Sequence, residues 1–469
     1  MRHSSDPLQL LKKGRSLQEF FIKGEFSLRF WESIASGVSL INSFIILTAL
    51  SVFEFGLYQL VLAFIGIIGG FNIDQLDGAI SIEMRRHFGK NEPGKAKRIY
   101  LEYALLKSLI AFVLAAGVFF GSGIVASHYG ADIGLYVKIM SLLLVLDGLQ
   151  SVGRIFLKSV FSFAFFGASA ARELVKLPLL AGVFFFSQLS IANVLVVHLL
   201  GWAGSLSLVV FFAVKYWRVT LKKILPAKEF LLGKIAKTYG GWVFFRYVVG
   251  KTTRSITPWL VKIFINTEAV ALYSLAVNLI AFIERLFPIN MLSYVFLIKV
   301  DDKEGLARIF SRAVKYVFWF GAGAGLAGLV FVPLVINKIL PKYGEALPLF
   351  KLMLLALPAY GVYKVLKWIL TTLREYKILA LRLIPEAVII NGTMLILLPT
   401  IGVLGAGFAY IGVYLGRIIF FWPALIRTHP YLKFNLKNIF IFNGEDKIFL
   451  AKLWRQLVLM INRFKVRLV

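Results

Sequence analysis

The sequence predicts an all-α polytopic membrane protein with about twelve transmembrane helices in two pseudo-symmetric six-helix lobes. Three observations carry this prediction. The 469-residue chain is 59% hydrophobic and only 16% charged, with a mean hydropathy of +0.79, whereas soluble domains are about a quarter charged. Apolar runs near or above the ~20 residues that cross a bilayer recur along its length. The two halves of the chain also resemble each other. FGLYQLVLAFI (55–65) matches VALYSLAVNLI (270–280), and YGADIGLYVKIMSLLLVLDG (129–148) matches YGEALPLFKLMLLALPAYG (343–361). Both pairs are offset by about 215 residues, and a fixed offset marks an internal repeat rather than chance likeness of apolar helices.

The elements follow in order. Residues 1–26 form a polar, amphipathic segment with no apolar run leading to a small-residue cleavage site, so they read as a cytoplasmic segment rather than a cleaved signal. Hydropathy then places spans at 30–52, 54–73, 100–122, 133–157, 170–188 and 191–214, which make the N-lobe of residues 27–214. A basic cytoplasmic linker occupies 215–238. Spans at 240–265, 268–298, 313–337, 346–370, 379–398 and 401–426 make the C-lobe of residues 239–426. Six spans per half is an even number, so the repeats are parallel, as in other two-lobed transporters. The basic tail, 427–469, carries Leu450, Leu453, Trp454, Leu457, Val458, Ile461 and Phe464 on one helical face and Lys452, Arg455, Gln456 and Arg463 on the other. That pattern predicts an interfacial amphipathic helix, not a further span.

The net charge of +29 would suggest a nucleic-acid partner on a soluble protein. Here the cations sit between spans, and nucleic acid is excluded as a partner. Arg85, Arg86, Lys90, Lys95, Lys97 and Arg98 follow the second span, and Arg218, Lys222, Lys223, Lys228, Lys234 and Lys237 follow the sixth. Lys299, Lys303, Arg308 and Arg312 follow the eighth, and Arg374 and Lys377 the tenth. The opposite connections are short and hold few cations, Lys338 and Lys342 being the exceptions. The positive-inside rule therefore puts both termini in the cytoplasm of a cell (inner) membrane protein.

Several chemistries are excluded. The chain has no cysteine, hence no disulfide framework or thiol nucleophile. Its histidines (His3, His87, His128, His198, His429) have no metal-ligand spacing. No loop is large enough for a folded catalytic domain, and Asp301-Asp302 reads as a solvated connection, so the chain is expected not to be an enzyme. GAGAGLAG (321–328) contains a G-x-G-x-x-G, but inside an apolar span it reads as close helix packing.

Polar residues inside spans are costly and normally face a cavity or one another. Arg29, Glu32, Ser36, Ser39 and Ser43 form a stripe on the first span. Asp147, Gln150, Ser151, Arg154 and Lys158 form one on the fourth, and Tyr360, Tyr363, Lys364, Lys367 and Thr371 one on its repeat partner, the tenth. Arg246, Lys251 and Arg254 occupy an arc of roughly 140° on the seventh span. Glu284-Arg285 lies on the eighth, before Pro288. Helix-to-helix hydrogen bonding accounts for some of these groups, and snorkelling for cations near helix ends. Lys251 and Arg254 lie about 16–21 Å into their span, too deep for easy escape. They are expected to line a water-filled cavity that attracts anions, because Arg forks and Lys ammonium groups suit phosphate. Organic cations do not fit such a cavity.

With these residues in view, the chain resembles the polysaccharide transporter, or O-antigen (Wzx-type) flippase, family of the multidrug/oligosaccharidyl-lipid/polysaccharide exporter superfamily. The likeness covers about residues 27–426. It rests on the polar first span, Phe55-Gly56-Leu57-Tyr58, IEMRRHFGKNEPGKAKRI (82–99), the Tyr-Gly pairs at 129–130 and 343–344, and GVLGAGFAYIGVYLGR (402–417). REYK (374–377) and the long basic tail depart from the family pattern. The resemblance implies a MATE-like fold and a flippase that moves polyprenyl-diphosphate-linked oligosaccharide from the cytoplasmic to the outer leaflet by alternating access through a cationic interlobe cavity. On that reading Arg246, Lys251, Arg254, Arg29 and Arg285 hold the diphosphate, and Asp147, Glu284, Glu32, Arg154 and Lys364 serve the cavity or ion coupling. No cofactor is implied beyond coupling to H+ or Na+. The partners implied are the polyprenyl-linked glycan lipid, membrane lipids and polysaccharide assembly proteins. A multidrug exporter of the same superfamily, or an integral glycosyltransferase or polymerase, is the alternative.

Overall fold

A computed structural model of the chain describes residues 17–446, apart from short interruptions at 75, 161, 163–165, 187–188, 288, 290–291, 293–295, 297–299, 382 and 445. The amphipathic pattern expected at 448–464 lies outside the described residues. Every regular element among the described residues is helical. The first ten helices are α1 (Leu17–Ala49), α2 (Val52–Gly69), α3 (Leu76–Gly89), α4 (Pro93–Tyr129), α5 (Ala131–Met140), α6 (Leu142–Ser159), α7 (Gly167–Phe186), α8 (Ile191–Thr220), α9 (Leu232–Phe264) and α10 (Thr267–Arg285). They are followed by α11 (Lys303–Ile339), α12 (Ala346–Leu354), α13 (Leu357–Thr372), α14 (Tyr376–Leu381), α15 (Leu383–Ile401) and α16 (Leu404–Thr428).

Seven of the described helices are long and apolar enough to cross a membrane, or eight if the bent pair α12–α13 counts as one span. For two of the helices missing from the expected twelve the reason is physical. In α6, Asp147, Arg154 and Lys158 lie within 18 residues, and in α7, Arg172, Glu173 and Lys176 lie within 20. Their polar stripes dilute a hydropathy signal that their apolar faces retain.

Two compact units are present. Unit 1 comprises Met1–Asn278, Val332–Phe350 and Ala387–Ala409; unit 2 comprises Leu279–Phe331, Lys351–Glu386 and Tyr410–Val469. Within unit 1, α1 packs on α7, α7 on α8, α8 on α6, and α6 on α4, while α9 packs on α2 and α3. One apolar core there gathers Ile80 and Met84 of α3, Ile99 and Tyr103 of α4, Phe156 of α6, and Ile235 of α9, all buried.

Local sequence explains the main breaks. Ser51 and Glu54 form a capping box that starts α2. Helix α2 then passes so close to the start of α10 that a Cβ on Gly56 would sit 2.1 Å from the Thr267 carbonyl oxygen. Gly56→Ala is therefore expected to destabilise the protein by about 1–3 kcal/mol, the usual cost of overpacking, or more. The check is the thermal unfolding midpoint of the purified protein; an unchanged midpoint would contradict this packing.

The span expected at 133–157 is interrupted at Ser141, between α5 and α6, and the Ser141 hydroxyl donates to the Lys138 carbonyl at 2.7 Å. Its repeat partner is interrupted at Leu355–Ala356, with α12 and α13 bent by 48°. Both members of the pair thus break at matching positions. The Tyr-Gly motifs, by contrast, differ locally. Gly130 has φ +103°, a conformation open to glycine, whereas Gly344 is right-handed and follows a short 3-10 turn.

The span expected at 54–73 stops at Gly69, and the one expected at 268–298 has its helix end at Arg285. GAGAGLAG packs closely at two of its glycines: a Cβ on Gly321 would lie 2.7 Å from the Leu357 carbonyl oxygen and one on Gly328 3.0 Å from Ile283, whereas Gly323 has open space around it. Asp302, expected as a solvated loop residue, is exposed and outside the helix, and it also caps α11, its Oδ1 accepting from the Gly305 amide at 2.9 Å.

After α16 the chain folds back along α11. Asp446 pairs with the buried Lys315 and accepts from the Tyr316 hydroxyl at 2.6 Å and the Asn443 amide at 2.8 Å. Burial raises the Asp446 pKa, but the hydrogen bonds from Lys315 and Tyr316 outweigh it and hold the carboxyl down at about 2. A depressed carboxylate pKa contributes stability that is present above its unfolded value and lost as pH falls through about 2. This contact is accordingly expected to hold throughout the neutral range.

Candidate functional site

The break between α2 and α3 assembles the most polar site in unit 1. GGFNID (69–74) ends an apolar helix with two glycines, so α2 stops inside the run and leaves backbone carbonyls without helical partners. Two lysines take them up. Lys251 of α9 donates to the Gly69 carbonyl at 2.8 Å, and Lys107 of α4 donates to the Asn72 carbonyl. Cations at a helix C-terminus also complement its dipole. Ile73 has φ +22°, a rare value for a β-branched residue, at a cost on the order of 1–3 kcal/mol.

Two carboxylates close the site. Asp74 pairs with Lys107 through Oδ1, while its Oδ2 accepts from the Tyr247 hydroxyl at 2.6 Å and lies 3.5 Å from Lys251 Nζ. Asp77 accepts from Tyr103 and Ser151, with Lys107 Nζ 3.6 Å away. Lys107 is fully buried, so these oxygens stand in for the solvent its ammonium lacks. Asn72, 1% exposed, has neither side-chain polar atom hydrogen-bonded among the described residues. Gly148 lets α6 approach α4 here, since a Cβ on it would meet that of Ala111 at 2.5 Å. An unsatisfied buried amide is a group that a bound molecule would relieve.

The expected site residues are distributed as follows. Lys251 belongs to this site and stands 5.4 Å from the Tyr247 ring centroid. Arg254, one turn on, is exposed and has no ion-pair partner among the described residues. Arg246 lies in the same helix and Arg29 in α1; their side chains fall outside the described residues. Asp147 and Arg154 face each other along α6 at 3.8 Å, and Glu32 is exposed on α1.

Glu284, Arg285 and Lys364 belong to unit 2. Arg285 is exposed at the end of α10. Glu284 accepts from the Tyr410 and Tyr414 hydroxyls at 2.6 and 2.9 Å. Arg417 spreads over the rings of Tyr363 and Tyr414, 4.6 and 4.7 Å from their centroids, and pairs with Glu386. Lys364 stands 5.0 Å from the Tyr360 ring. The result is a carboxylate in an aromatic pocket.

Sequence reasoning missed Asp74, Asp77, Lys107, Tyr247, Glu386 and Arg417. Gly-Gly beside Asn and two Asp in an apolar run was the available signal for the first of these. It also missed Glu173 of α7, which pairs with Lys176 at 2.6 Å and Arg172 at 3.2 Å and accepts from Asn42 of α1 at 3.1 Å. His198 is hydrogen-bonded on both sides, to Trp202 at 3.3 Å and Tyr58 at 3.4 Å. Among the described residues no group of three or more His, Asp or Glu is placed to hold a metal ion.

No protein-family model and no curated protein matches the sequence. Solved structures do match the fold. An inward-facing multidrug-resistance MATE family transporter of the MOP superfamily superposes with a TM-score of 0.69 at 14% identity, covering 86% of this chain and 98% of that one. The lipid II flippase MurJ, in an inward closed conformation, gives 0.69 at 14%, covering 88% and 89%. A MOP superfamily transporter from Pyrococcus furiosus, described by a reversed polarity of its binding pocket, gives 0.59 at 15%, covering 88% and 96%. At such identities the likeness is one of architecture: the chain is a polytopic α-helical membrane protein with the fold shared by MATE and MurJ transporters.

Proposed function

We propose that the chain is a flippase for a polyprenyl-diphosphate-linked oligosaccharide, moving it from the cytoplasmic to the outer leaflet by alternating exposure to the two sides. The observation that carries this reading is α9. The membrane-depth part of α9 presents Lys251 and Arg254 one turn apart, and among the described residues Lys251 meets a carbonyl, a carboxylate 3.5 Å away and an aromatic face. A diphosphate offers the same acceptor chemistry as Asp74 with more charge, so it competes for this ammonium while Arg254 supplies a planar fork. A fold shared with a lipid II flippase supports the substrate class. The proposal includes lobes at 27–214 and 239–426, cytoplasmic termini in the inner membrane, coupling to H+ or Na+, and polysaccharide assembly proteins as partners.

The test is a leaflet-accessibility assay in proteoliposomes loaded with the lipid-linked oligosaccharide. Lys251→Gln/Arg254→Gln is expected to slow flipping roughly tenfold or more, since a hydrogen bond to a charged group contributes about 1.5–3 kcal/mol. Wild-type flipping in this variant would remove the site assignment, and no flipping by the wild type would remove the function.

One observation favours a second reading, a multidrug exporter. Glu284 with Tyr360, Tyr410 and Tyr414 combines a carboxylate with aromatic faces, the chemistry that suits an organic cation. Efflux of a cationic dye that fails in Glu284→Gln, together with absent oligosaccharide flipping, would select it.

A further inference from the structure

The start of α11 and the chain beyond α16 enclose a second polar site, within unit 2 and apart from the groups above. A cavity of about 440 Å3 is lined in part by Arg308, Ser311, Arg312, Lys315, Asn438 and Asn443. Arg308, Arg312 and Lys315 are spaced four and three residues apart, so they share one helical face. The carboxylate in the lining, Asp446, is occupied by Lys315, the Tyr316 hydroxyl and the Asn443 amide. The two guanidiniums are exposed, and the lining carries an excess of positive charge.

Immediately beside it runs an exposed apolar triplet. Phe440, Ile441 and Phe442 are 62%, 54% and 40% exposed, and Ile441 itself lines the cavity. The segment is fixed rather than loosely laid down. Trp319 donates its indole N–H to the Ile439 carbonyl at 2.9 Å, and its ring meets those of Phe440 and Phe442 at 6.1 and 5.9 Å. Burial of the Lys315–Asp446 pair secures it at the other end. Two guanidiniums beside three exposed apolar side chains match a molecule with a phosphate at one end and hydrocarbon at the other. A soluble phosphate would use the first feature and leave the second unexplained.

We propose that this pocket binds the phosphate of an anionic lipid headgroup against Arg308 and Arg312, with the acyl chains running over Phe440, Ile441 and Phe442. The site is independent of the proposed transport substrate. In the proposed orientation it faces the cytoplasmic leaflet, where anionic lipids attract basic segments.

The experiment uses the full-length protein, with lipid retention measured by native mass spectrometry on titration with phosphatidylglycerol or phosphatidylcholine. Arg308→Gln/Arg312→Gln is expected to weaken phosphatidylglycerol binding roughly 10- to 30-fold, as two cations near an anionic surface contribute about 1 kcal/mol each, and to leave phosphatidylcholine binding unchanged. The unfolding midpoint is measured alongside, and Arg308→Gln alone, at an exposed position, should weaken phosphatidylglycerol binding without lowering that midpoint. Phe440→Ser/Phe442→Ser should also weaken phosphatidylglycerol binding. Inorganic phosphate at the same concentration should not displace the lipid. Undiminished lipid retention in the arginine variant would overturn the proposal. Displacement by inorganic phosphate as effective as by phosphatidylglycerol itself would assign the pocket to a soluble phosphate and overturn the lipid.

Discussion

Replacing Lys107 with methionine is expected to lower the unfolding free energy by about 3–5 kcal/mol, the usual cost of breaking a buried ion pair from one side. Lys107 is fully buried on α4 and holds the Asn72 carbonyl, the Asp74 carboxylate and, at 3.6 Å, the Asp77 carboxylate. Methionine matches its length but donates nothing, so the carbonyl and the carboxylates lose a shared partner in a site with little solvent. Asp77 retains Tyr103 and Ser151, and Asp74 retains Tyr247 and Lys251, which bounds the loss. Lys107→Met/Asp74→Asn should recover part of it, with a coupling energy of about 1–3 kcal/mol for groups in one network. Denaturant or thermal unfolding of the purified protein measures both. A neutral Lys107→Met would mean that the break is held by something else. Hydrogen exchange should also rise at residues 69–77 in the single variant, because their carbonyls lose the ammonium that pins them.

The reason this cluster escaped the sequence reading is physical. Hydropathy averages over a window, and 54–73 averages as one span. What ends α2 is a pair of glycines together with carbonyl acceptors that two distant lysines satisfy. Lys107 and Lys251 are 35 and 182 residues from the groups they bond, and no local pattern encodes that pairing. Spans and polar stripes were legible because period and composition are local. The repeat was legible because it is written as likeness at an offset, and the matched breaks at Ser141 and Leu355–Ala356 agree with it. Lys251 was legible as a misplaced cation. Its partners were not, and they change its meaning: it bonds a helix end and an acidic side chain, whereas Arg254 is the exposed charge of the pair. The same limit applies to Glu284. Its position beside Arg285 in a span flagged it, but Tyr410 and Tyr414 arrive from 126 and 130 residues away.

Arg417→Ala should cost about 3–5 kcal/mol for the same reason, one partner removed from a buried pair, and its consequences reach further. Arg417 pairs with Glu386 and lies across the faces of Tyr363 and Tyr414. Tyr414 in turn donates to Glu284 and packs edge-on against Tyr360 and Tyr410, at 5.4 and 5.0 Å. The guanidinium thus supports the ring that orients the Glu284 carboxylate. Arg417→Lys keeps the charge but has neither a planar fork nor a flat face to stack, so it should fall between the wild type and alanine. Arg417→Met/Glu386→Gln should be less damaging than Arg417→Met alone, because it leaves no carboxylate without its cation. Thermal unfolding ranks the four variants. The positioning role has its own readout: Arg417→Lys should reduce the proposed transport by more than its loss of stability explains, and an unaffected rate in a folded Arg417→Lys protein would confine Arg417 to structure.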